Sequence, residues 1–324
     1  MQTNFHSHIV YALNLATAAL MAVVMVLGIM GTDALAQIET AFLYRLSNFD
    51  GPVPFNWANI QVDETRNEIY VADTRIGEIQ IFNDKGMQIY RFGDDGSLGS
   101  ILDVAVRGDG NILVLSRTKQ KPIILLCNYM GLPLATLDLQ NLPPDFSDFS
   151  PSRLVYKFGQ LYLLDQRSLR LAVTDPNGRF IKGYDIGSMI EADDSKRAAT
   201  EIGGFSVDRQ GNMLFTVPVL FRAYRLTPDN KLSGFGRPGS APGRFNVVGG
   251  IVADDQGYFY VADRLKSAII VFDKNFKFQT EFGYRGLKPH NLIGPKNLGL
   301  DNEGKLYVSQ LSSKGVSVFK ITHK

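Results

Sequence analysis

The side chains able to do chemistry fall into a few small sets. Asn59, Asp103 and Asn297 bring amide or carboxylate oxygen to one recurring place, which Arg153, Gly204 and Gly250 occupy elsewhere in the chain, with Lys296 beside the last. A hard cation takes about six to eight oxygens. Three donors without a glutamate, crowded by Arg153 and Lys296, make a poor cage. A solvated polar channel with an Asp103–Arg153 pair is the preferred reading, and a metal centre at Asn59, Asp103 and Asn297 is the alternative. Asp73, Asp165 and Asp263 each end a short apolar run and suit hydrogen bonds to the backbone of the loop that follows. Past the N-terminal segment only His290 and His323 remain as histidines. A Ser-His-Asp site would rest on His290 alone, and no Gly-x-Ser-x-Gly elbow is present. The single cysteine, Cys127, lies in the apolar run Pro122–Asn128. It reads as a buried strand residue, with no disulfide possible inside the chain and no Cys-x-x-Cys-His for haem attachment.

What positions these residues is a repeated unit, clearest over Gly249–Gly283. Short runs rich in Val, Ile, Tyr and Phe, punctuated by Asp, Asn and Gly, predict four antiparallel strands there: Gly250–Asp254, Tyr258–Asp263, Ala268–Asp273 and Phe276–Phe282. The second strand recurs as Glu68–Asp73, Asn111–Leu115, Gln160–Asp165, Asn212–Thr216, Tyr258–Asp263 and Lys305–Ser309, at intervals of about 43 to 52 residues. Six units follow: Asn59–Gly93, Ile101–Leu139, Arg153–Ile186, Gly204–Gly236, Gly250–Gly283 and Asn297–Ile321. The sixth has no fourth strand of its own. Phe42-Leu43-Tyr44-Arg45-Leu46, which is like the fourth strand Gln88–Phe92, stands before the first unit. The expectation is an all-β, six-bladed β-propeller over residues 37–324, closed by the N-terminal strand in the last blade.

The chain has 324 residues, 45% hydrophobic and 20% charged, with formal charge +2. That composition excludes bulk disorder, and the charge gives no long-range pull on nucleic acid or an anionic membrane. Ile9–Met30 is almost wholly apolar, and Ala34-Leu35-Ala36 before Gln37 has the form of a cleavage site. Residues 1–36 are therefore expected to be a cleaved secretory signal, or a retained anchor, with the remainder extracytoplasmic, in the periplasm or secreted.

A Phe with Pro or Gly before the inner strand, then Val-x-Asp-x-x-Gly, Tyr-Val-Ala-Asp and an Ile/Val-x-Val-Phe strand, resembles the NHL repeat. Trp57–Phe92 and Phe245–Phe282 carry it best. The resemblance implies the propeller and says little of function, because the repeat residues mostly build blades. Related calcium-dependent lactonase propellers line such a channel with Asn, Asp and Glu, which makes a calcium-type hydrolase or lactonase at Asn59, Asp103 and Asn297 the alternative function. Peptide-amidating lyases of similar architecture hold zinc with histidines, a set this chain cannot assemble. NHL domains that bind RNA do so through a basic face, which a nearly neutral chain lacks. Exported bacterial relatives are often associated with electron-transfer systems, so a multihaem cytochrome is a candidate partner by analogy.

The connections between blades are long: Ser47–Ala58, Gln140–Pro151, Gly187–Glu201, Arg237–Val248 and Tyr284–Lys296. With the loops between second and third strands they form one face, carrying Phe55, Trp57, Phe146, Phe149, Tyr284, Arg285 and His290. Aromatic and arginine side chains on rigidly mounted loops suit binding. Tyr284, Arg285 and Arg264 are expected to be exposed and Trp57 half-buried, with Lys266 and His290 completing the contact set. A short surface helix is expected within Ile186–Thr200. The resulting expectation is a non-catalytic scaffold without a cofactor, which binds a protein or cell-envelope partner through the loop face and touches membrane only if residues 1–36 are retained.

Overall fold

The turn that joins each inner strand to the second shows how the sequence builds a blade. Asp208, Asp254 and Asp301 each accept, through Oδ1, the backbone N–H groups two and four residues on. The residue ahead of the second strand then takes a left-handed conformation, with φ +79 at Gly211, +86 at Gly257 and +76 at Gly304. Glycine meets no Cβ penalty there, and in the first blade Asn67 takes the position at φ 54.

A computed structural model describes residues 38–54, 56–118, 121–190, 197, 199–311 and 314–324. Six four-stranded antiparallel sheets carry the described chain. Blade 1 is Asn59–Asp63, Glu68–Asp73, Glu78–Phe82 and Gln88–Phe92. Blade 2 is Ser100–Val106, Ile112–Thr118, Lys121–Cys127 and Pro133–Leu137. Blade 3 is Arg153–Lys157, Gln160–Asp165, Arg170–Thr174 and Phe180–Asp185. Blade 4 is Gly204–Val207, Met213–Val217, Arg222–Leu226 and Leu232–Phe235. Blade 5 is Val248–Ala253, Phe259–Asp263, Ala268–Phe272 and Phe278–Phe282. Blade 6 is Leu298–Leu300, Lys305–Ser309 and Val316–His323, with Ile38–Arg45 as its outer strand. The N-terminal strand therefore closes the last blade, as the sequence predicts, and the ring has no unpaired end.

Among the described residues the apolar core lies between blades rather than in one centre. Separate clusters join blades 1 and 2 around Ile79 and Ile101, 2 and 3 around Leu113 and Leu163, and 3 and 4 around Leu171 and Phe215. Others join 4 and 5 around Phe245 and Phe259, 5 and 6 around Tyr260 and Phe319, and 6 and 1 around Phe82 and Tyr307. Middle strands are covered on both faces, so Ala268–Phe272 is buried throughout, whereas the outer strand Pro133–Leu137 is mostly exposed. Each such Ile, Phe or Leu contributes about 1.5–3 kcal/mol.

One local expectation changes, and others fall partly or wholly outside the described residues. The inner strand of blade 5 begins at Val248 rather than Gly250, and its pairing shifts register between Val248 and Ile251. Backbones crowd there. A Cβ on Gly249 or Gly250 would lie 2.8 or 2.7 Å from the carbonyl oxygen of Lys296. Within the segment expected to be helical, one turn is described at Ile186–Met189, with Asp185 as its cap, and residues 197 and 199 are helical too; residues 191–196 and 198 lie outside the described set, as does Phe55. Residues 1–36, assigned from sequence to a signal or anchor, lie outside it too. No helix among the described residues is long and apolar enough to cross a membrane.

Candidate functional site

The polar column around the channel first does structural work, blade by blade. Asn297 Nδ2 donates to Ala58 O across the junction of blades 6 and 1, at 2.8 Å, and Asn59 Nδ2 donates to Leu102 O across the next junction, at 2.7 Å. Asp103 Oδ2 takes Leu154 N–H of blade 3 at 3.0 Å and Arg153 Nε at 2.8 Å, while its Oδ1 takes Val104 N–H. Thr216 Oγ1 donates to Gly249 O between blades 4 and 5, and Gly250 N–H to Lys296 O between 5 and 6. The residues that look like ligands in sequence are latches between neighbouring inner strands.

These contacts bear on the metal alternative. Both Asp103 oxygens already accept N–H donors, the Asn59 and Asn297 Nδ2 groups are tied to backbone carbonyls so that each offers only its Oδ1, and Arg153 and Lys296 bring positive charge to the same mouth. That donor set does not fit calcium, whose ions need many free oxygens. No cluster of three or more His, Cys, Asp or Glu side chains suited to a metal occurs among the described residues.

What remains is a cavity of about 320 Å³ at the loop-face mouth, where Arg153, Arg264 and Lys296 line the wall with Trp57, Thr74, Ser152, Gln166 and Glu201. Trp57 is the centrepiece. Its Nε1 donates to Gly294 O at 2.7 Å, which fixes the indole. The Arg264 guanidinium carbon lies 4.3 Å from the ring centroid and Lys296 Nζ lies 5.0 Å from it. Cation–π attraction contributes about 0.5–2 kcal/mol per contact and explains how two cations are held so near each other. Neither side chain has a carboxylate within ion-pair distance among the described residues, and Arg264 Nε is buried without a hydrogen-bond partner. Burial, then Arg264 and Arg153, pull the Lys296 ammonium below the usual lysine value, with Glu201 opposing. The mouth is thus an electropositive, partly desolvated site with one carboxylate in its lining.

The far end of the channel differs. Arg209 Nη2 in blade 4 reaches Glu64 Oε1 of blade 1, on the opposite side of the ring, at 2.6 Å, and its other arm pairs with Asp255. That end is spanned by neutralised charge, above a second cavity of about 310 Å³.

The sequence-predicted residues therefore separate. Trp57, Arg264, Arg153, Lys296, Asn59 and Asn297, assigned from sequence partly to the loop face and partly to the channel, meet in one mouth. Arg264 is half-buried over Trp57, not exposed as expected. Lys266 is a second correction: it is buried, with Nζ 2.8 Å from Glu281 Oε2 and 3.0 Å from Ala241 O, so it holds a loop rather than presenting a contact. Tyr284, Arg285 and His290 are exposed, with Tyr284 Oη donating to Glu281 at 2.8 Å. Phe146 and Phe149 pack on each other at 5.4 Å. Glu201, Gln166, Ser152 and Thr74 were not singled out from sequence. Gln166 and Thr74 directly follow second-strand aspartates, a position that points over the channel, and that is the signal that finds them.

No protein-family model matches the chain, and no curated protein matches it. Solved structures do. Virginiamycin B lyase from Staphylococcus aureus is similar over 88% of this chain and 99% of its own, at 11% identity and a TM-score of 0.57. A luciferin-regenerating enzyme is similar over 88% and 95%, at 12% identity and a TM-score of 0.57. A putative gluconolactonase is similar over 90% and 94%, at 12% identity and a TM-score of 0.55. At such identities the likeness establishes the six-bladed propeller and nothing of the chemistry.

Proposed function

We propose that this protein is an extracytoplasmic, non-catalytic binding propeller of the NHL type, which receives an acidic group of its partner in the loop-face mouth of the channel. The observation that carries this reading is the set of Arg264 and Lys296 on one Trp57 ring, with Arg153 beside them and no carboxylate paired to either of the first two among the described residues. A purely structural cluster would carry its own counter-ions, as Lys266 does with Glu281 and Arg209 with Glu64 and Asp255. Here like charges are held together in partial burial, and an incoming carboxylate or phosphate offsets that cost. Tyr284, Arg285 and His290 lie exposed on the connection that also supplies Gly294 and Lys296, and supply contact around the mouth. The partner class is a protein or cell-envelope component with an acidic group. A multihaem cytochrome is one such candidate, by analogy with exported proteins of similar repeat.

Calorimetric titration with citrate tests the receptor itself. Saturable binding at low ionic strength is expected, with Arg264→Gln and Lys296→Gln each weakening it about tenfold or more, as befits loss of one charge-assisted contact. Binding that neither substitution alters would overturn the reading.

A further inference from the structure

We propose that Lys296 captures the carbonyl carbon of a 2-oxo acid as an imine, while Arg264 and Arg153 hold the acid's carboxylate. This deepens the anion-receptor reading and rests on it. The main chain of Lys296 is fixed at both ends: its N–H donates to Ser309 O at 2.9 Å, and its carbonyl accepts Gly250 N–H. The next residue, Asn297, is latched to Ala58. A reactive amine on such a frame is aimed rather than mobile. The side chain enters a cavity of about 320 Å³, a size that suits a small molecule rather than a folded chain.

Charge decides what Lys296 can do there. The groups that face it are Arg153, Arg264 and Glu201, together with the Trp57 ring. An amine in partial burial beside two guanidinium groups loses its proton more readily than a solvated one, which is what a nucleophilic lysine needs. Lys266 is the internal contrast, since Glu281 neutralises it at 2.8 Å. The carboxylate end of a ligand finds Arg264, whose buried Nε has no partner. Thr74 and the second Nε2 hydrogen of Gln166 in the same wall offer donors to the oxygen of the carbonyl, whereas Ser152 spends its hydroxyl hydrogen on Gln166 Oε1.

The step balances without a co-reactant. The neutral amine attacks C2 of the 2-oxo acid, forming the C–N bond as the carbonyl π pair moves to oxygen. The carbinolamine then loses that oxygen as water, and the lone pair on nitrogen forms the C=N bond. Starting from the ammonium, the products are one iminium and one water, with charge unchanged. Glu201 is the carboxylate in the wall able to relay the proton between nitrogen and oxygen.

The test uses the full folded chain with pyruvate and sodium cyanoborohydride, followed by intact mass and peptide mapping. One reduced pyruvyl group is expected, on Lys296, with the yield rising with pH as the amine deprotonates. Lys296→Arg, which keeps the charge, should lose that label. Arg264→Gln should raise the pyruvate concentration for half-labelling about tenfold or more. Label spread over exposed lysines, or absent from Lys296, overturns the proposal even where the substituted proteins misfold, because the wild-type site of labelling decides it. If citrate still binds when Lys296 stays unlabelled, the imine falls and the anion receptor stands; if citrate does not bind either, both fall.

Discussion

Replacing Asp103 with alanine tests whether the polar column is a set of latches or a reactive centre. The carboxylate is buried, at 3% exposure, and takes three N–H donors: Arg153 Nε at 2.8 Å, Leu154 N at 3.0 Å and Val104 N at 3.0 Å. Its loss leaves the Arg153 guanidinium, 14% exposed, without its counter-ion. Breaking a buried pair from one side costs about 3–5 kcal/mol, and the orphaned Leu154 N–H is part of that cost rather than an addition to it. At this chain length each kcal/mol moves the melting temperature by about 2 °C, so a fall of about 6–10 °C is expected. Circular dichroism melting measures it. Asp103→Ala/Arg153→Met removes the stranded charge and should recover about half of the loss. Asp103→Asn, which keeps an acceptor for Leu154 N–H, should fall between. An Asp103→Ala protein that melts within about 2 °C of wild type would refute the latch account.

Citrate binding should weaken as pH rises through the lowered pKa of Lys296, before ordinary lysines titrate, because the anion prefers the ammonium; calorimetry across pH checks this. The same shift makes the unfolded chain bind the proton more readily, so this lysine's unfavourable contribution to stability is present below its folded pKa and is relieved as pH rises above it. Lys266→Ala strands the buried Glu281 carboxylate and should cost about 3 kcal/mol in denaturant unfolding, whereas Arg285→Ala should stay within about 0.5 kcal/mol. Burial pushes the Cys127 thiol up to about 11, so a disulfide reagent near neutral pH should leave it unmodified until the chain unfolds.

The blades were legible because they repeat similar local chemistry: apolar strands in each, with an aspartate-led turn and a left-handed glycine recurring in blades 4, 5 and 6. Ring closure was legible because Phe42–Leu46 had a twin in Gln88–Phe92 and no blade of its own. The mouth was not. Trp57 precedes blade 1, Arg264 follows a strand of blade 5 and Lys296 precedes blade 6, so they meet only through closure of the ring. Nor does spacing show that Asn59 and Asn297 spend their amide hydrogens on a neighbouring blade, since both partners are backbone carbonyls. Lys266 misled for the same reason: Glu281 lies fifteen residues on, on the outer strand of the same blade. The bulge at Gly249-Gly250 answers to the approach of Lys296 O, a contact between blades that a single repeat cannot reveal.

The chain has one tryptophan, and both cations of the proposed receptor lie against its ring. Its emission therefore reports occupancy of the mouth and of nowhere else. Titrating the wild-type protein with citrate should change Trp57 fluorescence saturably, with the same affinity that calorimetry gives, and Arg264→Gln should weaken both signals together. Calorimetric binding that leaves Trp57 emission unchanged would place the anion elsewhere and contradict the account.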